Sequence, residues 1–216
     1  MEYKSQKNVA GVDEVGRGSL IGPVYAAAVI FKKGFDKKKV KDSKKLSPKK
    51  REFLENYIKK NSYWAIGTAS KKEIEKINIL NASLLAMKRS ILKLKLKPQI
   101  IKVDGNKKPY INNLNIKSVV RGDQKIPEIS AASILAKVSR DRLIKKMSKK
   151  FKAYLWDKNV GYGTRDHLSA IKKFGITKHH RKTFKPIRNI LSPIESKAQL
   201  IKINSILSRP GLQGGV

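Results

Sequence analysis

The stretch that most constrains the fold is Val9-Ala10-Gly11-Val12-Asp13-Glu14-Val15-Gly16-Arg17-Gly18. Four small or apolar residues predict a buried strand. The strand runs into two adjacent carboxylates, and the chain then turns through Gly16 and Gly18 around one arginine. Like charges held close oppose each other's ionisation unless a cation sits between them. A hard divalent metal is one candidate. A charged strand end followed by a glycine-rich turn is the other reading this stretch leaves open. The pair is conspicuous because the chain carries 50 Lys and Arg against 16 Asp and Glu.

The net charge of +34 attracts polyanions, so nucleic acid is the expected partner. Many of these lysines also belong on solvated faces. A length of 216 residues suits one large domain or one domain with a small appendage. The absence of Cys excludes disulfides and thiolate metal sites and fits a reducing compartment. Residues 1–7 carry no apolar segment that reads as a secretory signal. The longest apolar run, Val24 to Phe31, is far short of a membrane span. A cytoplasmic protein with no membrane association is expected.

Asn8 to Val12 and Pro23 to Phe31 read as strands, as do Tyr63 to Ala69, Gln99 to Val103 and Ser118 to Val120. Ser47 is a good N-cap with Pro48 at the first helical position, opening a helix with Phe53, Leu54, Tyr57 and Ile58 on one stripe. A second helix is predicted to begin near Asn81 and end before Pro98. A long helix follows Pro127, with Ala131, Ile134, Leu135 and Val138 inward and Arg140, Arg142, Lys145 and Lys146 crowding its later turns. Asp157 to Thr164 reads as a loop, Thr164 to Phe174 as a short helix, and His179 to Lys182 as a basic patch. An amphipathic helical stretch runs on from Ile187. The order predicts an α/β architecture, a mixed sheet covered by helices with a helical C-terminal part. The division expected is 1–150 catalytic, 151–207 helical and packed on it, and 208–216 a disordered tail.

Three places share one design. Asp13 and Glu14 follow the first strand, Asp104 terminates Ile100 to Val103, and Asp123 terminates Val119-Val120, each beside glycine. Carboxylates at strand ends can converge on one rim of a sheet, where they form the oxygen-rich site that Mg²⁺ or Mn²⁺ prefers. Two such ions about 3.5–4 Å apart can act on opposite sides of a phosphodiester. Other motifs fail on mechanics. Gly11-x₄-Gly16 is followed by Arg17 and Gly18, where a P-loop needs Lys and Ser/Thr. Gly16-x-Gly18-x₃-Gly22 misses the dinucleotide spacing by one residue. His167, His179 and His180 lack zinc spacing and are expected to be exposed or structural. A non-enzymatic nucleic-acid binder would account for the lysines but not for four acids at strand ends.

These segments together resemble the ribonuclease HII family (type 2 ribonuclease H). The match lies in Gly11-Val-Asp-Glu-Val-Gly-Arg-Gly18, Asp42-Ser-Lys-Lys-Leu-Ser47, Val103-Asp-Gly105, Arg121-Gly-Asp123, Pro127 to Asp141, Gly161-Tyr-Gly163 and His179 to Phe184. It covers roughly Val9 to Ile190. The resemblance implies a ribonuclease H-like fold. It also implies a metal-dependent endoribonuclease that hydrolyses the RNA strand of RNA–DNA hybrids and cuts 5′ to single ribonucleotides in duplex DNA. Its products would carry 5′-phosphate and 3′-hydroxyl ends, and its cellular role would be ribonucleotide excision repair or DNA replication.

By position, Asp13, Glu14, Asp104 and Asp123 match the catalytic metal-binding carboxylates, with Mg²⁺ or Mn²⁺ as cofactor. Gly16, Arg17 and Gly18 match the turn that contacts the ribose 2′-hydroxyl, and Tyr162 the tyrosine that stacks on the following deoxyribose. Lys45 is expected as a phosphate contact, and the chain as a monomer. Ser19 stands where proline is common in the family. The extra N-terminal domain of ribonuclease HIII is not expected, because the acid pair lies a dozen residues from Met1.

Overall fold

The computed structural model describes residues 8–40 and 46–192. Lys45, the rest of the Asp42 to Lys45 segment, most of the C-terminal helical stretch and the 208–216 tail lie outside the described residues.

Five strands form one sheet: β1 (Val9–Val15), β2 (Val24–Phe31), β3 (Ser62–Ala69), β4 (Ile100–Asp104) and β5 (Ile116–Val119). The order is β3-β2-β1-β4-β5. β1 is antiparallel to β2, and β2 to β3, whereas β4 runs parallel to β1 and β5 parallel to β4. The mixed sheet expected from the sequence is therefore present. β1 lies at its centre, so the acids it carries leave from the middle of the sheet.

β1 extends to Val15 and takes Asp13 and Glu14 inside the strand rather than after it. Pairing with Ala27 and Ala26 of β2 holds them there. Alternation along the strand then sends the two carboxylates to opposite faces. Ala10 and Val12 belong to the core under α2 (Lys71–Leu92), with Val24, Ala26, Ala28, Ile101 and Val103. The other face packs on α1 (Pro48–Asn61) and α4 (Pro127–Ser148) through Ala27, Val29, Leu54, Ile58, Ala131 and Leu135. Each buried aliphatic side chain of this kind contributes roughly 1.5–3 kcal/mol.

Gly11 decides how close α4 comes. A Cβ there would lie 2.1 Å from the Glu128 carbonyl carbon and 2.2 Å from the Ile129 nitrogen. Only a residue without a side chain lets the first turn of α4 rest on β1, and that contact brings the helix up to the acid-bearing end of the strand.

Ser47 caps α1 by accepting from Lys50 N–H, as the sequence predicts. α2 starts ten residues before the expected Asn81, because Ser70 and Glu73 form a reciprocal capping box at Lys71. Asn78 interrupts it with φ +66°, and its side chain accepts from Asn81 N–H. The segment expected from Asn81 is the part beyond this break. Asp123 does not end a strand. β5 stops at Val119, and Asp123 lies in the single turn α3 (Gly122–Lys125).

Part of the predicted Asp157 to Thr164 loop is the turn α5 (Trp156–Asn159). α6 (Arg165–Phe174) follows a Thr164 N-cap, and residues 185–192 are helical. Leu20, Ile21, Ile144, Trp156, Ile171 and Ile187 form a third core that ties this C-terminal part to the loop after β1.

Candidate active site

Parallel pairing of β1 and β4 places Val12 beside Val103, so Asp13 and Asp104 leave neighbouring strands at the same level. That level is the carboxyl end of both strands, the usual place for a site in sheets of this type. Asp13 is 6% exposed. Its Oδ1 accepts from Glu14 N–H at 2.7 Å, and Ser133 of α4 donates to it. Burial pushes its carboxyl well above the ordinary range, and Glu14 and Asp104 push it further. Glu14 is raised too, first by burial and then by Asp104, against the pull of Arg17. Arg17 Nη1 lies 3.2 Å from Glu14 Oε1.

Asp104 Oδ1 accepts from Gly122 N–H at 2.6 Å and lies 3.4 Å from Asp123 N. That pin draws α3 against the end of β4 and delivers Asp123, 4% exposed, to the same rim. The structure thus brings Asp13, Glu14, Asp104 and Asp123 to one end of the sheet.

The turn after β1 is built around two arginines that no solvent reaches. Gly16 has φ +93°, and a Cβ there would lie 2.2 Å from Arg140 Nε. Arg140 donates to the carbonyls of Pro23, Ile21 and Val160. Arg181 donates through Nη1 to Arg17 O at 3.0 Å and through Nε to Gly22 O at 2.9 Å. Both are 0% exposed, and burial lowers both pKa values, with Arg140 lowering Arg181 further. Backbone carbonyls, each a partial negative charge, hold these guanidiniums, with no carboxylate in ion-pair distance among the described residues.

The sequence groups Arg140 with Arg142, Lys145 and Lys146 on the later turns of its helix and reads His179 to Lys182 as a basic patch. The structure buries Arg140, His180 and Arg181 fully, so Arg181 is no surface cation and His180 is structural. Nothing in their flanking lysines distinguishes them. Arg142 also has a structural partner, gripping Glu55 of α1 at 2.6 and 3.2 Å. Ser133 and the two buried arginines are the site residues that the sequence reading missed.

Tyr162 stands opposite the glycine turn. Ser19 and Tyr162 form an isolated antiparallel bridge, and Leu20 N–H donates to Gly161 O at 2.8 Å. A Cβ on Gly18 would meet the Tyr162 ring at 3.8 Å. Lys137 Nζ and the Arg140 guanidinium lie 5.8 and 5.7 Å from the ring centroid. Gly18 therefore lies against the Tyr162 ring and Arg17 beside Glu14, while Gly16 is buried over Arg140.

The donor set fits a hard divalent cation. Burial and neighbouring carboxylates raise the proton affinity of Asp13 and Glu14, and a bound cation reverses that by favouring the ionised forms. Among the described residues no three His, Cys, Asp or Glu side chains close into a metal cage. Mg²⁺ does not need one, because it keeps waters and binds through one or two carboxylates together with substrate phosphate.

A family model described as Ribonuclease HII matches residues 10–187. The chain is 69% identical over 185 residues to ribonuclease HII of Pelagibacter ubique (strain HTCC1062), covering 86% of this chain and 100% of that one. It is 48% identical to ribonuclease HII of Neisseria meningitidis serogroup B (strain ATCC BAA-335 / MC58), covering 85% and 95%. The crystal structure of ribonuclease H2 from Pyrococcus horikoshii OT3 aligns with a TM-score of 0.71 at 28% identity, over 87% of this chain and 99% of that one.

Proposed function

The chain belongs to the ribonuclease HII family and is a metal-dependent endoribonuclease, and from that premise we propose how its own residues act. The substrates are the RNA strand of RNA–DNA hybrids and single ribonucleotides embedded in duplex DNA, cut on the 5′ side to leave 5′-phosphate and 3′-hydroxyl ends. One observation carries this reading. The buried carboxylates of Asp13 and Asp123 and the half-buried ones of Glu14 and Asp104 share a rim with a glycine turn and a tyrosine ring.

Asp13, Glu14, Asp104 and Asp123 would hold Mg²⁺ or Mn²⁺. A pair of such ions, when bound, supplies an activated water and neutralises charge on the scissile phosphodiester. Ser133 and Glu14 N–H orient the Asp13 carboxylate, and Gly122 N–H orients that of Asp104. Gly16 to Gly18 let backbone groups approach the ribose, whose 2′-hydroxyl distinguishes RNA from DNA. Arg140 and Arg181 fix that turn from beneath. Tyr162 stacks on the sugar after the ribonucleotide and reads the RNA–DNA junction, and Lys45 contacts phosphate. The enzyme acts as a cytoplasmic monomer in ribonucleotide repair or primer removal.

Asp104→Asn tests the site. The amide keeps an oxygen for Gly122 N–H, so the fold stays, but the charge is gone. Loss of an outer partner of a metal ligand costs about 10–100-fold, so loss of the ligand itself should exceed that. Hybrid binding should be retained. Cleavage at the parent rate with Mg²⁺ or Mn²⁺ contradicts the assignment.

A further inference from the structure

Tyr162 leaves a turn that is fixed through its carbonyl. That oxygen accepts from Thr164 N–H at 2.9 Å and lies 2.9 Å from His167 Nδ1. His167 is 0% exposed. Its other nitrogen, Nε2, lies 2.9 Å from Trp156 Nε1 and 3.2 Å from His180 Nε2. An indole N–H only donates, so His167 Nε2 is an acceptor and the ring proton sits on Nδ1, aimed at Tyr162 O.

His180 supports the same tautomer. Its Nδ1 accepts from Thr177 N–H at 2.8 Å, which leaves its proton on Nε2 to donate to His167. In this arrangement Trp156 Nε1–H and His180 Nε2–H share the one lone pair of His167 Nε2, and the chain of bonds runs in one direction from Thr177 through His180 and His167 to Tyr162. A second proton on either ring would set N–H against N–H, and burial keeps both rings below the ordinary histidine range. Trp156 and Tyr154 wall the pair off with their rings.

We propose that His167 is a positioning residue for junction recognition, its Nδ1–H oriented by Trp156 and His180 so that it fixes the Tyr162 carbonyl and thereby the place of the Tyr162 ring opposite Gly18. The proposal rests on the reading of Tyr162 as the junction sensor. It accounts for the pairing of the two histidines, because a neutral imidazole with one enforced tautomer is a rigid donor, whereas a water or a flexible side chain would let the turn shift.

The readout is the ratio of cleavage rates on a duplex with one ribonucleotide and on a long hybrid. A variant that only loosens the fold lowers both rates and leaves the ratio alone. Tyr162→Ala should lower it. His167→Leu, which keeps bulk and removes the donor, should lower it about fivefold, the worth of one hydrogen bond. His167→Asn, whose amide can donate from the Nδ1 position, should recover most of that loss. Trp156→Phe, which removes one of the two donors that enforce the tautomer and trims the third core as well, should lower the ratio too and serves if His167→Leu does not fold. In the Tyr162→Ala background His167→Leu should lower the ratio no further. A parent-like ratio in both His167→Leu and Trp156→Phe, or no recovery in His167→Asn, while Tyr162→Ala lowers the ratio, overturns the role of His167. An unchanged ratio in Tyr162→Ala overturns the junction reading itself, and the role of His167 with it.

Discussion

Two glycines two positions apart are expected to respond in opposite ways to the same methyl group. Gly16→Ala places a Cβ at φ +93°, 2.2 Å from Arg140 Nε and 2.7 Å from its Cδ. A left-handed backbone costs an L-residue about 1–2 kcal/mol. Relief of the clash requires Arg140 to move. That side chain is fully buried and held by three carbonyls at 3.2–3.4 Å. Bonds to a charged group contribute about 1.5–3 kcal/mol each when well formed, and these are long, so losing part of the set adds about 2 kcal/mol. The total is about 3–4 kcal/mol. For a chain of this size each kcal/mol moves the melting temperature about 2–4 °C, so Gly16→Ala should melt roughly 6–16 °C lower.

Gly18 has no left-handed φ, and its added Cβ would meet only the edge of the Tyr162 ring at 3.8 Å. Gly18→Ala should stay within about 1 kcal/mol of the parent, while cleavage falls because the methyl narrows the gap that the ribose is proposed to enter. Urea unfolding followed by tryptophan fluorescence, with single-turnover cleavage on the same samples, separates the two. Equal destabilisation by both, or a parent-like melt for Gly16→Ala, refutes the placement of Arg140 as the floor of the turn.

Two other outcomes concern groups away from the carboxylates. His180 is held neutral, its pKa lowered from 6.5 to about 4 mainly by burial, with His167, His179 and Lys71 adding to it. Between those values the unfolded chain binds a proton that the fold refuses, so this group removes stability as pH falls, by up to about 1.4 kcal/mol per unit. Asp13 and Glu14, raised in the fold, act in the opposite sense. The urea midpoint of the parent should therefore fall more steeply between pH 6.5 and 4 than that of His180→Gln, and parallel curves would contradict the neutral pair. Arg142→Ala leaves Glu55, 2% exposed, with Lys59 alone. It should cost about 1–3 kcal/mol in a urea titration with hybrid cleavage unchanged. A raised KM without loss of stability would instead make Arg142 a substrate contact.

That Asp13, Glu14 and Asp104 gather at one end of the sheet was legible in the sequence because each follows an apolar run close to a glycine. Asp123 was found for a reason only partly right. It reaches the rim through a helical turn tied to Asp104, and four residues carry no periodicity from which to read a turn. Burial of charge was the illegible part. Arg140 and Arg181 sit among lysines in a lysine-rich chain, and what takes them inward is a set of backbone carbonyls presented by distant segments. Side-chain patterns do not encode that. The early start of α2 escaped for a related reason: the left-handed Asn78 shifts the helical phase, so the stripe beyond it does not continue the one before.

The measurement closest to the central claim uses a DNA duplex carrying one ribonucleotide, incubated with the protein in Mg²⁺ or Mn²⁺ and again in EDTA, with product ends identified. A single cut 5′ to the ribonucleotide, 5′-phosphate and 3′-hydroxyl ends, no cut in the all-DNA duplex and no product in EDTA is the predicted result. Retention of the duplex without product, or equal cutting of the all-DNA control, would contradict it.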